Sequence, residues 1–159
     1  MPMTKSIITP AEVIATAFSD GEYVAPEAIA EADIIAATQR WVVPVVGRAL
    51  LDKIAEGGYD ELKSDYVAPA VALYTRLLVQ PRLNAATSQL GLSVPSGTHK
   101  AAEKSLRTEL QRALKTRAQM ALRRLSDYLD ANAKQFTEYA PEKNILKHCS
   151  CEGGIVITY

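Results

Sequence analysis

Two stretches of the chain share one plan: "WVVPVVGRALL" from Trp41 to Leu51 and "YVAPAVALYTRLL" from Tyr66 to Leu78. Each runs aromatic, two small or β-branched residues, proline, then an amphipathic helical pattern. Proline is tolerated in the first turn of a helix, where its missing amide hydrogen would have no intrahelical partner. The pattern therefore predicts Pro44 and Pro69 as helix starts. Two apolar helices close in sequence point toward packing and assembly more than toward chemistry.

Composition agrees. In 159 residues, 48% are hydrophobic and only 6% aromatic, with abundant alanine. That favours close-packed helices over a β-sandwich, in one domain. Eighteen basic and eighteen acidic residues cancel, so the whole chain favours no polyanion. The charge is unevenly placed, however. Residues 1–65 hold eleven acids and five bases, whereas 99–124 hold eight bases and two acids. Two regions of opposite sign can attract within one molecule or between copies.

A capping box, Thr9 to Glu12 with Pro10 at the first helical position, predicts a helix over about 10–18 that Asp20-Gly21 ends. A second helix is expected from Pro26 to Trp41, with Ile29, Ile34, Ile35, Thr38 and Trp41 near one face. A residue before proline is pushed out of the helical region, so Val43 reads as a joint and the next helix as 44–56, stopped by Gly57-Gly58. Asp65 is then a cap for a helix running from Tyr66 toward Leu90, kinked or interrupted at Pro81. Residues 91–98 read as a loop.

From about 98 to 140 there is no proline or glycine, and helix formers dominate. Leu106, Leu110, Leu114, Ala118, Ala121, Leu125, Tyr128 and Leu129 trace an apolar stripe. A helix of about 40 residues would span roughly 60 Å, against about 40 Å for a compact globule of this length. It should either break, near Ala131-Asn132, or project and need another chain to cover it. After Pro141 comes a tail, 141–159, ending in a turn at Gly153-Gly154 and a β-prone run, Ile155 to Tyr159. Such a strand needs a partner in its own chain or a neighbour.

Little in the sequence nominates chemistry. His99 reads as a solvated residue near a helix start. His148, Cys149 and Cys151 crowd three soft ligands together, but a closed zinc site wants four, from separated pairs. Cys149 and Cys151 are too close to staple a fold, and reduced thiols in an intracellular protein are expected. No phosphate-binding glycine loop occurs. No catalytic group, cofactor or metal is expected. The N-terminal "MPMTKSIITP" has no apolar signal core, and apolar runs of about six residues fall far short of a membrane span.

The basic helix offers surfaces instead. Arg112, Lys115 and Arg123 fall opposite the leucine stripe, where they could face DNA phosphates or a neighbouring subunit. Arg107 and Arg117 fall inside the stripe and should meet acids, in the same subunit or at an interface. Salt-bridged packing or a subunit interface is preferred over DNA contact. Trp41, Pro44, Gly47, Tyr66, Pro69 and Tyr74 are read as core and geometry residues.

The stretch "EADIIAATQRWVVPVVGRALLDKIAEGG" followed by "DYVAPAVALYTRLLVQPRLN" resembles the head–tail connector (adaptor) proteins of tailed bacteriophages and prophages. The matching residues are Ile34, Ala37, Trp41, Pro44, Gly47 and Leu50, then Tyr66, Pro69, Ala70, Tyr74 and Leu77, within a resemblance covering about residues 5–130. The resemblance implies a mostly α, small helical bundle with one long helix in its C-terminal half, working without enzymatic activity. It implies a ring homo-oligomer, a dodecamer in the virion, which docks under the portal protein, meets tail-completion proteins and continues the DNA channel with at most non-specific DNA contact. Virion and bacterial cytoplasm would be its locations, with no membrane involved. Ile155, Val156 and Ile157, outside the family pattern, would be candidates for contact with a partner. Two rivals remain open: a helical DNA-binding regulator, and a helical small-molecule-binding protein.

Overall fold

The computed structural model describes residues 5–19, 24–84, 87–88, 91–92, 100–152 and 155–158. Among these residues the fold is mostly α, a small bundle of helices. We number them α1 (Pro10–Ala17), α2 (Glu31–Val46), α3 (Arg48–Ala55), α4 (60–84) and α5 (Lys100–Ala131). Two short antiparallel pairs accompany them: β1 (Thr87–Ser88) with β2 (Gly91–Leu92), and β3 (Cys149–Glu152) with β4 (Ile155–Thr158).

Helix α1 starts as its sequence dictates. The Thr9 hydroxyl accepts from the Glu12 amide at 3.3 Å, and the Glu12 carboxylate accepts from the Thr9 amide at 2.6 Å. The expected end at Asp20-Gly21 lies outside the described residues. The helix expected from Pro26 is divided. A single turn, Pro26–Ala28, precedes α2, whose first turn is held by Asp33 accepting from the Ala30 amide at 3.0 Å.

The two prolines correct the sequence reading. Neither starts a helix. Val43 is fully helical (φ −55, ψ −42) and its amide donates to the Thr38 carbonyl, five residues back. Thr38–Val42 is thus a π-helical turn, with Pro44 just beyond it. Lys63–Val67 repeats the device: the Ala68 amide donates to the Lys63 carbonyl, and Pro69 follows. A proline inside a helix lacks one amide and collides with the carbonyl four residues back. A wider turn just before it displaces that carbonyl, so the helix passes through.

The real break is Gly47, at φ 86 and ψ 150. This backbone region is essentially closed to other residues. The axis turns by 119° between α2 and α3, which splits the helix expected over 44–56. Helix α4 begins at Asp60, not at a cap on Asp65, and follows Tyr59 in the left-handed conformation (φ 58, ψ 54). The Tyr59 hydroxyl donates to Glu138 at 3.0 Å, and its ring meets Phe136 edge-on at 5.0 Å. Helix α4 then runs through Pro81 and stops at Asn84, so β1 and β2 occupy ground expected to be helix and loop.

Helix α4 is the centre of the bundle. Every side chain from Ala70 to Arg76 is buried, and the helix packs against α1, α2 and α5. Helix α5 contributes Leu114, Ala118, Leu122, Leu125 and Leu129 to the core. It ends at Ala131, the break point the sequence offered. Its 32 residues extend about 48 Å. The expected stripe fails at its upper end: Leu106 is 64% exposed, and all side chains from Lys104 to Glu109 are exposed.

Residues beyond Pro141 were read as tail, yet 141–147 pack on the body as two short turns. Asn144 is completely buried there. The apolar run at the end finds its partner within its own chain, in register Cys149↔Thr158 through Glu152↔Ile155. Gly153-Gly154, Tyr159, His99 and most of the 91–98 loop lie outside the described residues.

Candidate functional site

The aromatic of each proline segment has a defined destination. Trp41 sends its ring onto Tyr74 of α4, with centroids 4.8 Å apart and planes 17° from parallel, and the Arg40 guanidinium lies 4.8 Å from the indole centroid. Tyr66 stacks on Tyr128 of α5 at 4.0 Å and 15°, with Arg124 at 4.8 Å. The widened turns before Pro44 and Pro69 thus deliver one ring each into an aromatic pair topped by arginine.

Beside the first pair, α2, α4 and α5 enclose a groove. Two cavities, of about 240 and about 440 Å³, share Arg40, Trp41, Tyr74 and Gln119 and so form one trough. One end continues along Pro44, Val45 and Leu122 to Ile145 and Leu146. The other continues along Leu77, Leu78 and Pro81 to Gln111 and Lys115. The floor is apolar, while Arg40, Lys115 and Arg123 stand at the margins. Burial pushes the Tyr74 phenol above its usual range, against the opposing pull of the Arg123 charge.

This placement revises the basic residues. Lys115 and Arg123 line the groove instead of lying opposite the leucines, and Arg112 shares their edge of α5 by helical spacing. All three are exposed. Arg107 and Arg117 are exposed too, so the burial that would demand a carboxylate partner does not arise. Among the described residues, Arg112, Lys115, Arg117 and Arg123 have no ion-pair partner. Along α3, the turn after it and the start of α4, Asp52, Glu56, Asp60, Glu61 and Asp65 are all exposed, and the hollow that Asp60 and Glu61 line shares no residue with the groove.

The groove's Ile145 end is held by a clasp that sequence reasoning missed. Asn144 donates from Nδ2 to Ser126 Oγ and to the Tyr139 hydroxyl, both at 2.8 Å, while its Oδ1 accepts from the Leu146 amide at 3.0 Å. Tyr139 in turn donates to Asp130 at 2.7 Å, and Asp130 takes Lys147 at 2.6 Å. Burial, and then the bond to Asp130, push the Tyr139 phenol up to about 12. An asparagine directly after Glu142 and Lys143 gives no sequence signal of burial. Arg76 was missed as well. It is buried, donates from Nη1 to the Ala17 carbonyl that ends α1, and lies 4.3 Å from the Phe18 ring.

Among the described residues no three His, Cys, Asp or Glu side chains converge on a point. His148 is exposed. No single described helix is long and apolar enough to cross a membrane.

A family model described as a family of unknown function, DUF6712, matches residues 42–148, about two thirds of the chain; the chain belongs to that family. The match begins at the turn before Pro44 and ends just past the clasp. It spans both proline segments except Trp41, the α5 wall of the groove and Asn144. No curated protein and no solved structure matches the chain.

Proposed function

We propose that this member of the DUF6712 family is a non-enzymatic assembly protein: a head–tail connector of a tailed phage or prophage, built into a ring between portal and tail that continues the DNA channel. One observation carries the reading. In the N-terminal half of α5 every side chain from Lys104 to Glu109 is exposed, Leu106 among them at 64%. An isolated helix gains most of its stability from packing an apolar face. A helix of this length with uncovered leucine and basic turns is suited to lie against another chain. Met120 and Ile145, 65% and 53% exposed, extend the uncovered apolar surface. The resemblance of the two proline segments to connector proteins supports the identity of the assembly, with the virion and the bacterial cytoplasm as its proposed locations.

The test is co-assembly. The full chain is mixed with the portal protein encoded in the same phage or prophage genome, and the particles are sized and imaged by electron microscopy. A ring of this chain capping the portal is expected. A chain that stays apart from portal and from itself would contradict the reading. Tight, sequence-selective DNA binding with a steep salt slope would favour the regulator instead.

A further inference from the structure

Resting on that reading and deepening it, we infer that the groove between α2, α4 and α5 is one half of a head-to-tail contact between copies. Its other half is the acidic corner along α3, the turn after it and the start of α4 of the next copy. The groove's own chemistry narrows its occupant. Its floor holds the Trp41–Tyr74 pair, and the indole is already stacked on one ring and covered by Arg40. Little of it remains for a nucleobase or planar cofactor to stack upon. The margins carry Arg40, Lys115 and Arg123, with Arg112 on the same helix edge, and Gln119 offers an amide, that of Gln111 being held by the Leu77 carbonyl at 3.1 Å. An occupant of this surface brings carboxylates.

The chain supplies them itself. Asp52 on α3 lies one turn before Glu56 at the helix's C-cap, and Glu61 and Asp65 lie one turn apart on α4, with Asp60 beside them. All five are exposed. Arg40, Arg112, Lys115 and Arg123 on the groove side face an excess of acids on the corner, where Lys53 and Lys63 offset part of the five carboxylates, so seating the corner of one copy on the groove of the next brings opposite charges together. The two patches differ, so the contact is heterologous and repeats. It closes into a ring when its rotation permits. Complementary patches of this kind set register and partner choice.

Charge exchange tests it, because every altered residue is exposed. One variant carries Lys115→Glu and Arg123→Glu; the other carries Glu56→Lys and Glu61→Lys. Association is followed by sedimentation velocity over a range of concentrations, with circular dichroism to verify the fold. Each variant alone should associate at least about a hundredfold more weakly than the wild type, since like charges then face each other. Mixing the two should restore association, because each basic patch again finds an acidic one. If the wild type associates and both variants associate equally well, this pairing is wrong while self-assembly stands. If Lys115→Glu/Arg123→Glu loses DNA affinity but not association, the groove edge serves phosphates and the pairing is overturned. If the wild type stays monomeric with and without portal, the pairing and the connector reading fail together.

Discussion

The indole of Trp41 lies nearly parallel to the phenol of Tyr74, 4.8 Å between centroids, and this pair joins the helix before Pro44 to the central helix α4. Tyr74 is almost completely buried and also forms the groove floor. Tyr74→Ala should therefore cost about 3–5 kcal/mol, the usual range for deleting a large buried ring. Trp41 is the only tryptophan, so its fluorescence during a urea titration reports the change directly. A loss below about 1 kcal/mol would mean that the pair is peripheral.

Gly47 turns the chain by 119° at φ 86. A Cβ built there meets nothing within 4 Å, so alanine is penalised by its backbone and not by a clash. Gly47→Ala should lower stability by about 1–3 kcal/mol. Denaturant unfolding measures it. A D-alanine at this position, introduced by chemical ligation, should restore the loss, because it accepts positive φ.

The clasp gives the protein an alkaline sensitivity of stated sign. Folding raises the Tyr139 phenol to about 12 from an ordinary value of 10. A raised value means that its contribution is complete below pH 10 and fades as pH climbs toward 12. Tyr139→Phe takes one partner each from Asp130 and Asn144 and should cost about 1–3 kcal/mol near neutrality. The stability gap between wild type and variant should then narrow above pH 10. A gap that stays constant across that window would show that the phenol titrates normally.

Arg76 holds the end of α1 to α4 through the Ala17 carbonyl, and its Nε donates to Gln80 at 3.2 Å. Arg76→Ala leaves that carbonyl buried without its donor, at about 1–3 kcal/mol. Amides of α1 should lose hydrogen-exchange protection ahead of those in α4. Arg76→Met should recover part of the packing but not the protection of α1.

Local rules read well where local chemistry decides. Thr9, Pro10 and Glu12 announce α1 because the cap is complete within four residues. The end of α5 at Ala131 was legible because a longer helix would outgrow the body. The prolines misled for a physical reason. Their rule assumes bonds four residues back, and π turns at Thr38–Val42 and Lys63–Val67 set that assumption aside. The groove could not be read at all: it needs Arg40, Tyr74 and Lys115 from three helices, and only tertiary packing brings these together. Asn144 was invisible because its burial depends on Ser126 of α5, eighteen residues back, and on the turn that brings Tyr139 onto it. The uneven charge was visible at once, but not that its basic half flanks an apolar trough.

The mass of the assembled particle, by light scattering of the full chain alone and with portal protein, tests the central claim most directly. A discrete species holding several 17.3 kDa copies is expected, formed by the chain alone or, with portal present, adding that multiple to the portal's own mass. A single 17.3 kDa species at every concentration, unchanged by portal, would contradict it.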